Sequence, residues 1–323
     1  MKILKKIFPN ILSTTNIFIS YIQEFNHFRK YNTNNTFKTY EKDRAILVRN
    51  THGIEKSFSL PQMRPTFGIE SAHVLYENCR KYLDHYGVDQ YLQDAINVLR
   101  DYLLYHADAA DYLDGLDTKF EILCQSVPAY FGAVKKCHQP FDHDLSVVHS
   151  EHLFGSRHSC RSYTPARVSL ETVEKILELS KNVPSACNRQ PWRVRLFQGR
   201  EDIDFLLRHQ NGNRGFGESI HNAFLVTGCV DAFSSKERNQ VFIDCGLYCM
   251  QLMLVLHSLG YSSCPLNMSN QFRDEVSIKK ELRVPANERL IMLVAFGQAA
   301  DDASYGNAFK SISDKFQVWN SGQ

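Results

Sequence analysis

Two short segments in the second half of the chain hold residue types whose spacing could do chemistry. They are Arg157-His158-Ser159-Cys160-Arg161-Ser162-Tyr163 and Pro184-Ser185-Ala186-Cys187-Asn188-Arg189-Gln190-Pro191-Trp192. The first is a small basic cluster with hydroxyls, and by charge alone such a cluster is more often a solvated face than a site. The second sets the amides of Asn188 and Gln190 between prolines, and an amide both donates and accepts hydrogen bonds. Other candidates are weaker. Gly212-Asn213-Arg214-Gly215-Phe216-Gly217 is glycine-rich but neither follows a clear strand nor opens a helix, so it reads as a surface loop, with the edge of a binding pocket as the lesser alternative. Cys137, His138, His143, His149 and His152 lack paired ligand spacing, and no metal is expected there. Cys245 and Cys249 stand one helical turn apart on an apolar face and read as small core residues. No convincing Ser/His/Asp constellation is present.

The elements that must position these segments can be read from periodicity. Ser169 caps a helix with Val173, Ile176, Leu177 and Val183 on one face, ended by Pro184. Trp192, Val194 and Leu196 alternate with Arg193, Arg195 and Phe197 as a half-buried strand does. Ala223–Val230 and Leu290–Phe296 are continuous apolar runs suited to central strands. Between them a long helix spans about Lys236–Leu259, apolar nearly all round, with Gly260 as its stop and a subunit interface as one explanation of its second apolar side. Before residue 150 the pattern is mainly helical: Glu70–Tyr86, Gln90–His106, and Lys119–Cys137 broken by Pro128. The first 45 or so residues read as a loosely packed lead-in, and Thr51–Gly68 as an irregular connection. The expected division is therefore a helical extension over 1–150 and a second domain over 151–323.

The paired segments, one helix apart, resemble the signature of the FMN-dependent nitroreductase family: Arg-x-Ser-x-Arg/Lys-x-Phe/Tyr before a helix and Pro-Ser-x-x-Asn-x-Gln-Pro-Trp after it. The resemblance covers about half the chain. It implies an α+β fold, a mixed but mainly antiparallel sheet flanked by helices, here with an N-terminal helical extension. It implies further that Arg157 and Ser159 hold the FMN phosphate, a task for which guanidinium plus hydroxyl is physically suited, with a backbone contact from His158. Arg161 matches the basic position near the flavin pyrimidine edge, where a fixed cation stabilises the reduced anion. Asn188 matches the amide that pairs with that edge, and Gln190 helps fix the turn into the strand. The loop after the long helix, Ser263 to Met268 with Pro265, Leu266 and Asn267, matches the segment whose backbone faces flavin N5. Many members have an acidic residue and glycine where Asn267 and Met268 stand. Lys310 matches, loosely, a basic residue that reaches the phosphate.

The family also implies NADH or NADPH as electron donor and a homodimer with FMN in its interface. The expected activity is hydride transfer to a small organic or sugar-linked acceptor. The alternatives are a flavin-dependent dehydrogenase or oxidase of a biosynthetic product, and a non-catalytic flavin-binding assembly module. Thr51-His52-Gly53-Ile54-Glu55-Lys56 resembles a His-x-Ile-Glu-Lys pattern in the extension of some long nitroreductase-like proteins of bacterial polysaccharide clusters, although Ser57 and Phe58 follow here in place of glycine and leucine. Either it ties the extension to the flavin domain, or His52, Glu55 or Lys56 reaches the substrate side of the pocket.

Composition narrows the remaining classes. Hydrophobic residues at 43% and aromatics at 12% argue for a folded chain, and a formal net charge of +2 gives no global pull towards nucleic acid or an anionic membrane. Nine cysteines, an odd number, do not form a secreted disulfide framework, so a cytoplasmic location is expected. The apolar stretch Ile7–Ile22 is interrupted by Pro9, Asn10 and Asn16, and neither a cleaved signal nor a membrane span is expected.

Overall fold

A computed structural model describes residues 9–34, 38–58, 64–127 and 143–305. In chain order the helices and strands are α1 (Pro9–Tyr31), α2 (Tyr40–Phe58), α3 (Ile69–Tyr86), α4 (Gln90–Tyr105), α5 (Ala110–Leu113), α6 (Leu116–Cys124), α7 (His143–Ser156), α8 (Leu170–Ser180), β1 (Trp192–Phe197), α9 (Arg200–Arg208), β2 (Asn222–Cys229), α10 (Gln240–Ser258), β3 (Ser262–Asn267), α11 (Phe272–Glu281) and β4 (Glu288–Gly297).

The four strands form one antiparallel sheet in the order β1-β2-β4-β3, and an isolated parallel bridge between Ser159 and Ser263 adds its mixed element. Because side chains alternate across a strand, β2 and β4 feed two cores. Phe224, Val226, Val294 and Phe296 pack with α8 and α10, whereas Ala223, Leu225, Leu293 and Ala295 pack with α9 and α11. Every residue of β2 is buried, which is why its sequence is mostly apolar, with Asn222 and Thr227 as its buried polar members. Helix α10 approaches the sheet at Gly228, where an added Cβ would lie 2.5 Å from Val241 Cγ2 and 2.8 Å from Cys245 Sγ. The α10 chain stops at Gly260, whose φ of +83° a side chain would resist.

A third core belongs to the extension, built by Leu75, Cys79, Leu92, Ile96, Leu99 and their neighbours on α3 to α6. Helix α2 joins the cores: Ala45 packs with the sheet's α8/α10 face, while Leu47 and Ile54 pack with the extension.

Several expectations are corrected. The first 45 residues contain α1 and the start of α2, and α1 is fastened to the sheet domain by His27 Nε2 donating to Ala286 O at 2.6 Å. Thr51–Phe58 is helix, not an irregular connection: Thr51 Oγ1 bonds Leu47 O at 2.9 Å and Ile54 is buried, so packing overrides Gly53 and Thr51. Ser263–Asn267 is the edge strand β3, where a proline is tolerated. Among the described residues α10 is long and apolar enough to cross a membrane by length and composition, contrary to the reading of the sequence, but half of it is buried within the protein and it carries the buried Asp244. The predicted third helix is α6; residues 128–137 lie outside the described residues.

Candidate functional site

The Asn188 segment turns from α8 into β1 through a 3-10 turn with unusual backbone. Cys187, Asn188 and Gln190 have φ of 51°, 53° and 46°. Left-handed conformations cost non-glycine residues of order 1–3 kcal/mol each, and persist where surrounding structure dictates them. Here the dictating group is Arg189, fully buried, with Nε on Ala186 O at 2.7 Å, Nη1 on Ala232 O at 2.9 Å, and a two-point bond to Glu237 at 3.0 and 2.5 Å. Its guanidinium also lies over the Phe233 ring. The hydrogen bonds from Arg189 hold the Glu237 carboxyl down to about 2. Asp244 of α10 accepts from Ala186 N at 3.1 Å, and burial raises its pKa.

The extension presses on the same turn. Arg44 of α2 donates through Nη2 to Arg189 O at 3.1 Å and Gln190 O at 3.4 Å, and Glu41 pairs with both Arg44 and Arg193. Two to three turns further along α2, Thr51 and Glu55 meet Asn188, Gln190, Tyr91 and Asp94 around a recess of about 40 Å³. Burial raises the Glu55 pKa, and Asp94 adds to the rise. Asn188 is exposed and receives Gln190 Nε2 on both its carbonyl oxygens, at 3.1 and 3.2 Å. Of the three candidates on α2, Glu55 lines the recess; His52 lies 3.5 Å from Glu55 without lining it, and Lys56 is exposed.

The Arg157 segment follows α7 and runs beside β3. Cys160 N donates to Ser263 O at 3.1 Å, completing the Ser159–Ser263 bridge. Arg157 Nη1 and Ser263 Oγ are buried with no hydrogen-bond partner among the described residues. Buried donors in that condition are costly, and a guanidinium with a free donor beside a free hydroxyl is a donor set that fits phosphate. The ring of His158 lies flat on Tyr305, with centroids 3.7 Å apart and planes 8° apart. Arg161 is exposed nearby. Along β3, Pro265 is half-buried, Leu266 belongs to the core and Asn267 is exposed, its carbonyl accepting from Gln210 Nε2 at 3.3 Å. Lys310 lies outside the described residues.

The two segments occupy diagonally opposite corners of the sheet. Trp192 is level with Gly228 and Arg289, whereas Ser263 is level with Phe296. With about 4.8 Å per strand spacing and about 3.3 Å per residue, the corners are roughly 30 Å apart. One copy of the chain therefore brings Arg157, His158, Ser159 and β3 together, and separately brings Asn188, Gln190 and Glu55 together.

The nitroreductase family profile matches residues 155–239 and 229–298, spanning both corners and every strand. Residues 155–298 belong to the nitroreductase family. Nitroreductase NfnB of Mycolicibacterium smegmatis is 24% identical over 201 residues, covering 48% of this chain and 85% of that protein. A 4-nitrobenzoate reductase of Pseudomonas putida is 20% identical over 194 residues, covering 46% and 85%. The structure of an FMN-dependent nitroreductase from Clostridium difficile R20291 aligns with 52% of this chain and 98% of its own at 22% identity, with a TM-score of 0.44. The nitroreductase domain is thus a flavin oxidoreductase domain with a helical region added before it.

Sequence reasoning missed Arg44, Glu41 and Arg189 as supports of the Asn188 turn. Arg189 was visible as a charge inside the second motif; Arg44 gave no local signal, since only the tertiary fold brings it there.

Proposed function

We propose that the protein is an FMN-dependent oxidoreductase that passes hydride from NADH or NADPH to a small organic or sugar-linked acceptor. The observation that carries this reading is the Arg157 corner, where a buried guanidinium donor and the Ser263 hydroxyl, both without partners among the described residues, stand in the segment that the family profile covers. Bound FMN supplies two-electron chemistry between a nicotinamide donor and an acceptor. Arg157 and Ser159 clamp the phosphate, and Arg161 places positive charge near the ring. Asn188 offers its amide to the pyrimidine edge, held by Gln190 and by the left-handed backbone.

Because the two corners are so far apart in one copy, the site is assembled from two copies, Arg157 from one protomer and Asn188 from its partner. A homodimer is supported by the exposed side of α10, where Phe242, Ile243, Leu247 and Met250 are each more than two-fifths exposed. Helix α1 continues that surface, since its Tyr21 and Phe25 share a cavity of about 330 Å³ with Phe242. Glu55, carried to Asn188 by α2, is then the extension's contribution on the substrate side, with His52 beside it. A cytoplasmic location fits the eight described cysteines, all free.

The test is an absorption spectrum of the purified protein, then anaerobic NADH and NADPH additions to wild type and Arg157→Ala, with sedimentation in parallel. Bound flavin that bleaches with a nicotinamide, in a dimer, and is lost from the variant bears the reading out. Absence of flavin after reconstitution with FMN rejects it.

A further inference from the structure

Next to the Arg157 corner is a cavity of about 180 Å³ whose lining includes Ser156, His158, Cys160, His257, Ser262 and Tyr305. Two imidazoles face it from different elements, His158 from the segment after α7 and His257 from the last turn of α10. Ser156 orients the second. Its hydroxyl donates its one proton to His152 O at 2.5 Å, so the 2.7 Å contact with His257 Nε2 must be a bond from Nε2–H to Ser156 Oγ. That assignment leaves Nδ1 as the nitrogen without a proton in the neutral ring, and no described residue bonds it. A neutral Nδ1 presents a lone pair to an anion; a protonated one presents a donor.

We propose that His257 is a further phosphate-binding residue of the flavin site, taking a proton from solvent onto Nδ1 as the phosphate enters and donating it in a hydrogen bond to a phosphate oxygen. The proposal rests on the FMN reading above. In the free protein, burial first, then the positive charge of Arg157 and of His152 and His158, lowers the His257 pKa. These are the charged or titratable groups that act on it from α7 and the segment after it, with Tyr305 on the C-terminal side of the cavity. A phosphate dianion reverses that field and raises the pKa, so binding takes up a proton at any pH between the two values. Affinity for FMN then falls as pH rises from the free value to that of the complex and levels off above it.

The experiment is calorimetric titration of the full chain with FMN at about pH 6.5 in two buffers of different ionisation enthalpy, with dissociation constants followed from about pH 5.5 to 8.5. Wild type is compared at each pH with His257→Gln, because FMN's own phosphate titrates near pH 6. Riboflavin serves as the phosphate-free probe. Expected are proton uptake in wild type that the variant lacks, an FMN dissociation constant raised about tenfold in the variant near pH 6 and little changed above about pH 8, and riboflavin binding alike in both. Ser156→Ala, which keeps the imidazole but removes its acceptor, is expected to diminish the proton uptake and serves should His257→Gln not fold. Equal proton uptake and equal pH slopes in wild type and His257→Gln, with FMN bound to both, overturn the role of His257 alone. Equal losses of FMN and riboflavin reduce it to a structural residue. A wild type that binds no FMN removes this inference and the cofactor reading together.

Discussion

The two corners of the sheet that carry the family motifs are built in opposite ways. At the Asn188 corner nearly every strong polar group is paired: Arg189 makes four hydrogen bonds, Asp244 holds Ala186 N, and Arg44 holds two carbonyls of the turn. Among the described residues the one orphan there, Arg44 Nη1, sits on a guanidinium otherwise bonded and stacked over Tyr91. At the Arg157 corner, Arg157 Nη1, Thr164 Oγ1 and Ser263 Oγ are all buried without partners among the described residues. The first corner spends interaction energy on a strained backbone, so that two amides are presented in one orientation. The second leaves buried donors without partners among the described residues, open to a ligand. One is a rigid wall, the other a socket, and stability and affinity should separate accordingly.

The largest expected effect is on the wall. Arg189→Met removes a buried guanidinium and strands Glu237 and two carbonyls, and should cost roughly 3–4 kcal/mol of unfolding free energy, read from denaturant midpoints. A loss below about 1 kcal/mol would erase the contrast. At the socket, Arg157→Ala should leave the melting temperature of the flavin-free protein almost unchanged while weakening FMN about a hundredfold, measured by fluorescence titration. A variant that unfolds instead would make Arg157 a structural residue and the corners alike. Gly228→Ala probes the approach of α10 behind the wall. Its Cβ meets Val241 and Cys245 at under 3 Å, and forced repacking there should cost about 2 kcal/mol.

The strands and the α8 and α10 helices were legible because their patterns are local: the Ser169 cap and the buried run of β2 appear where periodicity places them, and Trp192, Val194 and Leu196 of the half-buried β1 pack on one core while Phe197 packs on the other. Helix α2 was not. Asn50, Thr51 and Gly53 lower its helix propensity, and the burial of Thr51 and Ile54 that overrides this comes from helices distant in sequence. β3 was hidden by Pro265, which is tolerated because this is an edge strand. Among candidate site residues, the paired motifs single out Arg157, Ser159, Asn188 and Gln190, yet nothing in their spacing shows that the two motifs lie at opposite corners of a sheet. Only the register does, and the proposal of a two-copy site rests on it.

The smallest expected effect concerns pH at the wall. Glu237 has its carboxyl held at about 2 against an ordinary 4.5, chiefly by hydrogen bonds from Arg189 and then from Ser234. A depressed carboxyl contributes stability that is fully present above its unfolded value and is lost as pH falls through the folded one. The contribution should therefore be intact at neutral pH, fade below about 4.5 and be gone near 2. Glu237→Gln keeps shape and hydrogen-bonding capacity but cannot ionise. The difference in melting temperature between wild type and this variant should be constant above about pH 5 and shrink steadily below it. A difference that stays the same down to about pH 2 would mean that Arg189 is held by its carbonyl partners alone. The wall would then owe its rigidity to backbone packing, not to the charge pair at its centre.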